Sequence, residues 1–105
     1  MKIPESLKIG GHIYVVNYPY HFKERYDRVG HSNHALQTIG ISDDDGNGNR
    51  RAMEDIELSL IHEILHCVDR VYNGDDLIEK NSEAMVSRIA EGLYQVLKDN
   101  NLLRE

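Results

Sequence analysis

The sequence predicts an α+β fold: a small, mostly antiparallel sheet at the N-terminus, then two helices. Two short β-branched runs around a glycine pair open the chain. An acidic loop follows a third apolar run, and beyond it the apolar period lengthens to that of a helix.

Taken in order, Leu7-Lys8-Ile9 and His12-Ile13-Tyr14-Val15-Val16 flank Gly10-Gly11. That is a hairpin signal, because glycine reaches the positive φ of a tight turn without steric cost. Residues 19 to 35 are polar and aromatic, broken by Pro19 and Gly30, and read as irregular with room for one strand. Leu36 to Ile41 reads as a strand with Ile39 and Ile41 on one face. Asp43 to Asn49 is a loop by composition. Met53, Ile56, Leu60, Ile64, Val68 and Val71 then recur at helical spacing, and Asn73-Gly74 is a suitable stop. A second helix carries Val86, Ile89, Ala90, Leu93, Val96 and Leu97 as its expected buried stripe. Asp76 with Glu79, or Asn81, caps its start in this reading.

Composition narrows the function. At 105 residues and 40% hydrophobic, residues 1–105 suit one domain with one modest core. Eighteen acidic against twelve basic residues give a formal charge of −6, which repels a phosphate backbone and argues against nucleic-acid binding. No segment has the length and apolarity of a signal peptide or a membrane span. A lone cysteine, Cys67, forms no internal disulfide and suits a reducing compartment, so the expectation is a soluble cytoplasmic protein.

His62-Glu63-Ile64-Leu65-His66 lies well inside the first helix. Residues four apart on a helix are separated by about 40° of rotation and one turn of rise, so both imidazoles converge on one ion. Glu63, displaced by about 100° from His62, is placed to act on water as a general base without ligating. This HExxH pattern is that of zinc hydrolases. The plainer alternative is two satisfied helix histidines. A third ligand is needed, and Glu83 is the best candidate. It extends the line of Val86, Ala90, Leu93 and Leu97, where a carboxylate is costly unless paired or metal-bound. Against that, an acidic first-turn residue also suits the helix dipole and can simply face water. Glu79 and Glu91 are weaker candidates. Asp69, three residues beyond His66, either orients a histidine from behind or is ordinary surface charge. Cys67 reads as a small buried hydrophobe, and His31 and His34 as solvated loop residues.

His62 to His66, Glu83 and the run from Ile89 to Asn100, with the opening Ile3 to Gly11, resemble small phage and prophage zinc metallopeptidases. These look like minimal gluzincins, distantly similar to the ImmA/IrrE-like peptidases. The resemblance implies a short sheet packed on an active-site helix and a glutamate-bearing helix. It also implies zinc held by His62, His66 and Glu83, Glu63 as general base, and a protein or peptide substrate. By the same resemblance, substrate backbone aligns along Leu36 to Ile41 by edge addition. Residues 19 to 52 share little with that family. An oxyanion-stabilising His or Tyr is not identifiable: Tyr94 lies about 16 Å along the helix from Glu83, and Tyr72, His31 and His34 have no assignable position.

A second metal reading concerns Asp43-Asp44-Asp45-Gly46-Asn47-Gly48. Asp43, Asp45 and Asn47 stand at the first, third and fifth positions of an EF-hand loop and Glu54 at the twelfth, a pattern for Ca2+. Arg50 and the preceding strand disagree with it, and the alternative is a polar turn rich in Asp, Asn and Gly. The leading expectation is a zinc-dependent metallohydrolase of the peptidase type. The alternative is a non-catalytic zinc-binding phage accessory protein that acts through a protein partner.

Overall fold

The computed structural model describes residues 1–22 and 29–103. Its elements are β1 (Ser6–Ile9), β2 (His12–Asn17), β3 (Gly30–Asn33), β4 (Thr38–Ile41), α1 (Met53–Asn73), α2 (Asp76–Lys80) and α3 (Glu83–Asp99). The fold is α+β. Four strands in the order β1-β2-β4-β3 form one sheet, antiparallel at β1–β2 and β4–β3 and parallel at β2–β4.

The β1–β2 hairpin turns at Gly10, whose φ is +62°, and an added Cβ there falls 2.7 Å from Val71 Cγ1 on α1. Both the left-handed backbone and the close helix therefore require glycine. The chain then crosses to the far edge of the sheet, forms β3, and returns through residues 34–37 as β4. This order corrects the substrate-strand expectation: Thr38–Ile41 is an internal strand, hydrogen-bonded on both sides, and cannot accept an added strand. The edge strand on that side is β3, drawn from the stretch read as irregular. Residues 23–28 of that stretch lie outside the described residues.

Helix α1 is the middle layer. Ile56, Leu60 and Cys67 pack against Tyr14, Val16, Ile39 and Ile41 of the sheet. Ile61, with Leu58 and Leu65 beside it, packs instead against Ala90, Tyr94 and Leu97 of α3. The helix ends as expected, with Gly74 in the left-handed conformation at φ +60° and its N–H bonded to Asp69 O.

Helix α3 departs from expectation in two ways. Its cap is Ser82, whose Oγ accepts from Met85 N, and a separate short helix, α2, occupies the segment of the proposed caps. Its buried face is also rotated. Val86, Ala90 and Tyr94 are 1%, 0% and 8% exposed, whereas Ile89, Leu93 and Val96 are 40%, 43% and 48% exposed. The reason is polar. Tyr94 donates a 2.6 Å hydrogen bond to buried Glu57, whose other oxygen lies 2.9 Å from the Met1 ammonium. A carboxylate buried on α1 demands a donor opposite it, and Tyr94 meets that demand where Leu93 cannot.

Leu60 is 1% exposed at the sheet–helix interface. Leu60→Ala is expected to lower the unfolding free energy by about 2–5 kcal/mol in urea titrations without changing the slope. A loss under about 1 kcal/mol contradicts the packing described.

Candidate metal centre

The site forms where α3 begins opposite the middle of α1. The two helices run antiparallel, since Glu83 meets His62, Tyr94 meets Glu57 and Lys98 meets Glu54. Gly74 and Asp75, both at positive φ, turn the chain out of α1. Helix α2 then crosses the gap, and the Ser82 cap starts α3 with Glu83 as its first residue. Glu83 therefore projects back over the HExxH turn.

Three donor atoms converge there. His66 Nε2 lies 3.2 Å from both His62 Nε2 and Glu83 Oε1, and His62 Nε2 is in contact with the same carboxylate oxygen. Tetrahedral zinc with ligand bonds of about 2.0–2.1 Å separates its ligand atoms by about 3.3 Å. The donor set, two imidazole nitrogens and a carboxylate oxygen, fits such an ion. The histidines are partly buried at 18% and 16% side-chain exposure, and Glu83 is open to solvent at 59%, which leaves a side of the cluster accessible.

Glu63 is not part of that convergence. It is buried, and its Oε1 accepts a 2.7 Å hydrogen bond from Ser32 Oγ on β3. Gly30, two residues earlier on the same face of the strand, is so close that an added Cβ falls 3.2 Å from Glu63 Oε2. Edge strand and candidate base are thus in direct contact. Neither Ser32 nor Gly30 was identifiable from sequence, because Gly30-His31-Ser32-Asn33 has no apolar alternation to mark a strand.

His31 and His34 are not solvated loop residues. His31 lies on β3 and packs edge-to-face with Tyr20 and Phe22, ring centroids 5.1 Å away in each case. His34 is half-buried, with Nδ1 3.1 Å from the hydroxyl of buried Tyr14. Burial lowers the His34 pKa and raises that of Tyr14, so the phenol keeps its proton and donates it to Nδ1. The neutral imidazole then carries its own proton on Nε2. Cys67 is fully buried, and burial pushes its thiol up to about 12, so it stays protonated and is no candidate ligand. Tyr94 is committed to Glu57, and Tyr72 sits at the far end of α1 near the Gly10 turn.

Asp69 is buried, and its bonds run to the next helix rather than to a histidine ring. Oδ1 accepts from Leu77 N and Asn73 Nδ2, and Oδ2 from Ile78 N, each at 3.0 Å. It anchors α2 to α1 and so positions the approach to Glu83.

The EF-hand ligand set does not assemble. Asp45 accepts from Asn47 N and from both the backbone and side-chain nitrogens of Asn49, and Glu54 pairs with Lys98 on α3. Asp43 contacts Arg50 at 3.4 Å. Turn-forming residues satisfied one another locally, which a sequence pattern cannot separate from ligation. Asp43 converges instead with Asp44 and His21, in a second group close enough to share a cation.

Two hollows, of about 340 and 460 Å3, flank the convergence and share Gly30, Glu63 and Glu83 in their walls. Glu91 lines the first and Glu79 the second, so the two weaker ligand candidates lie beside the cluster and outside it. No helix of the described residues is long and apolar enough to cross a membrane. No protein-family model, curated protein or solved structure matches the chain.

Hydrogen bonding to Leu77, Asn73 and Ile78 outweighs the burial that by itself raises the Asp69 carboxyl, and holds it below the usual aspartate range. A depressed folded pKa stabilises the fold fully above the unfolded value, about 3.9, and that contribution is lost as pH falls through the folded value. Asp69→Asn is therefore expected to be destabilised most at neutral pH, the gap from the native chain narrowing below about pH 4 in urea midpoints. A pH-independent gap contradicts this.

Proposed function

We propose that the chain is a zinc-dependent hydrolase acting on peptide bonds, with His62, His66 and Glu83 as metal ligands and Glu63 as general base. The observation that supports this reading is the convergence of three donor atoms within reach of one ion, His66 Nε2 standing 3.2 Å from each of the other two, with the neighbouring carboxylate left out of the cluster. When bound, zinc supplies a Lewis acid that acidifies water and polarises a carbonyl. Glu63 takes a proton from water as the water oxygen bonds to the carbonyl carbon, and delivers it to the departing amine nitrogen as the C–N bond breaks. Ser32 orients that carboxylate through its 2.7 Å bond. His34 lines the hollow beside His66 and Glu63 and offers a neutral N–H donor to the carbonyl oxygen. Peptide backbone aligns along β3. Ser42 N bonds Val29 O, so by antiparallel alternation the N–H and C=O groups of Gly30 and Ser32 point away from β4.

A second reading is a zinc-bearing scaffold that acts through a protein partner. Its support is the burial of Glu63 and its bond to Ser32, which also suit a purely structural carboxylate. The two readings separate on one comparison. In a hydrolase, Glu63→Gln keeps zinc and loses about 10²–10⁴-fold in turnover. In a scaffold that variant behaves as native in partner capture, and only His62→Ala fails.

Mass spectrometry of protein purified without a metal-affinity tag tests the ligand set. One zinc per native chain is expected. Glu83→Ala is expected to weaken affinity beyond the roughly 10–100-fold typical of losing a residue behind the ligands. No zinc in the native chain after zinc addition and dialysis overturns the proposal.

A further inference from the structure

The hydrolase reading leaves open which peptides the groove accepts, and the charges along its walls bear on that choice. Among the described residues, no lysine or arginine lines either hollow. Four carboxylates flank the metal cluster and Glu63, and two of them are already neutralised. Asp55 accepts from Arg51 Nε and Nη2 at 3.0 Å each, and Asp75 accepts from Arg70 Nη1 at 2.6 Å. Glu91 and Glu79 form no ion pair among the described residues. Arg70, the cation whose field reaches Glu79, is the one bonded to Asp75.

The two unpaired carboxylates sit in matching settings. Glu91 shares its hollow with Leu58, and Glu79 shares the other with Ile78. Each hollow therefore offers an aliphatic wall and an acidic rim. That suits a Lys or Arg side chain, whose methylene stem covers apolar surface while its charged head stays at the wet edge. Glu63 and Glu83 line both hollows, the first extending along α1 from His62 toward Asp55 and the second from His66 toward α2, so the two settings adjoin the reacting centre at different ends. The chain's formal charge of −6 adds a long-range field of the same sign.

We propose that the groove selects basic peptides, with Glu91 receiving a Lys or Arg side chain at one end of the metal cluster and Glu79 receiving another at the other end. This inference rests on the peptide reading above and goes beyond it in naming the substrate class. Glu79 and Glu91 are positioning residues: they hold the peptide and touch no reacting atom.

The test uses zinc-loaded Glu63→Gln protein comprising residues 1–105, so that binding is read without turnover. Two fluorescent decapeptides are compared by anisotropy: an alanine-rich chain with lysines on either side of its centre, and its glutamine counterpart. The lysine peptide is expected to bind at least about fivefold more tightly at low salt, with the preference shrinking as salt is added. Glu91→Gln and Glu79→Gln are each expected to remove part of the preference, and the double variant nearly all of it. Equal binding of the two peptides, no binding of the lysine peptide, or a preference that survives the double variant overturns the inference. The native protein separates this result from the hydrolase reading. Basic-peptide binding with no cleavage sinks the hydrolase and leaves the selectivity standing. Equal cleavage of both peptides sinks the selectivity and leaves the hydrolase standing.

Discussion

Burial of α1 on two sides is the constraint from which the site follows. One side of the helix is packed into the sheet through Ile56, Leu60 and Cys67, and another into α3 through Ile61. The remaining arc of the helix, between these two contacts, carries His62 and His66. Because α3 returns antiparallel and is pinned by Tyr94 against Glu57, its first residue can only arrive over that arc. Glu83 is thus aimed by a hydrogen bond more than two helical turns away along α3. The ligand-like geometry is a consequence of how three layers pack, with no dedicated loop to build it.

Much of this was legible in the chain itself. The three-and-four spacing from Met53 to Val71, the stop at Gly74 and the hairpin at Gly10-Gly11 are strong local signals, and each is realised. The convergence of His62 and His66 follows from helix geometry alone. Extending the apolar stripe points to Glu83, although its side chain is 59% exposed and not buried on that seam. The stripe itself is rotated, since Ile89, Leu93 and Val96 are exposed and Tyr94 takes the interface position in place of Leu93. A hydropathy pattern ranks leucine above tyrosine, and the buried carboxylate that reverses the ranking lies 37 residues away in sequence.

The parts that stayed hidden share a cause: they depend on polar groups meeting across long separations. Gly30-His31-Ser32-Asn33 becomes a strand through pairing with β4, and Ser32 gains its meaning only from Glu63, 31 residues later. Asp69 acts on backbone amides of α2 that sequence spacing does not connect to it. The acidic loop erred in the opposite direction. Its Asp, Asn and Gly residues match a calcium-loop pattern, yet Asp44 and Asp45 accept from nearby backbone amides, Asp43 contacts Arg50 of the same loop, and Glu54 pairs with the distant Lys98. Local pattern alone does not tell a ligand awaiting an ion from a turn that satisfies itself.

Electrostatics joins the site to its surroundings. Buried or half-buried acids at Glu57, Glu63 and Asp69 each have donors, while the acids along the groove are divided between paired and unpaired. A divalent cation at the centre would lie beside Glu63 and Glu83, with Glu79 and Glu91 in the adjoining hollows, a field that favours its retention. Anomalous diffraction at the zinc edge, from crystals grown with one equivalent of zinc, tests the central claim most directly. The account predicts one strong peak within about 2.0–2.2 Å of His62 Nε2, His66 Nε2 and a Glu83 oxygen, with Glu63 outside the coordination sphere. A dominant peak between His21, Asp43 and Asp44, or none at the HExxH turn, contradicts it.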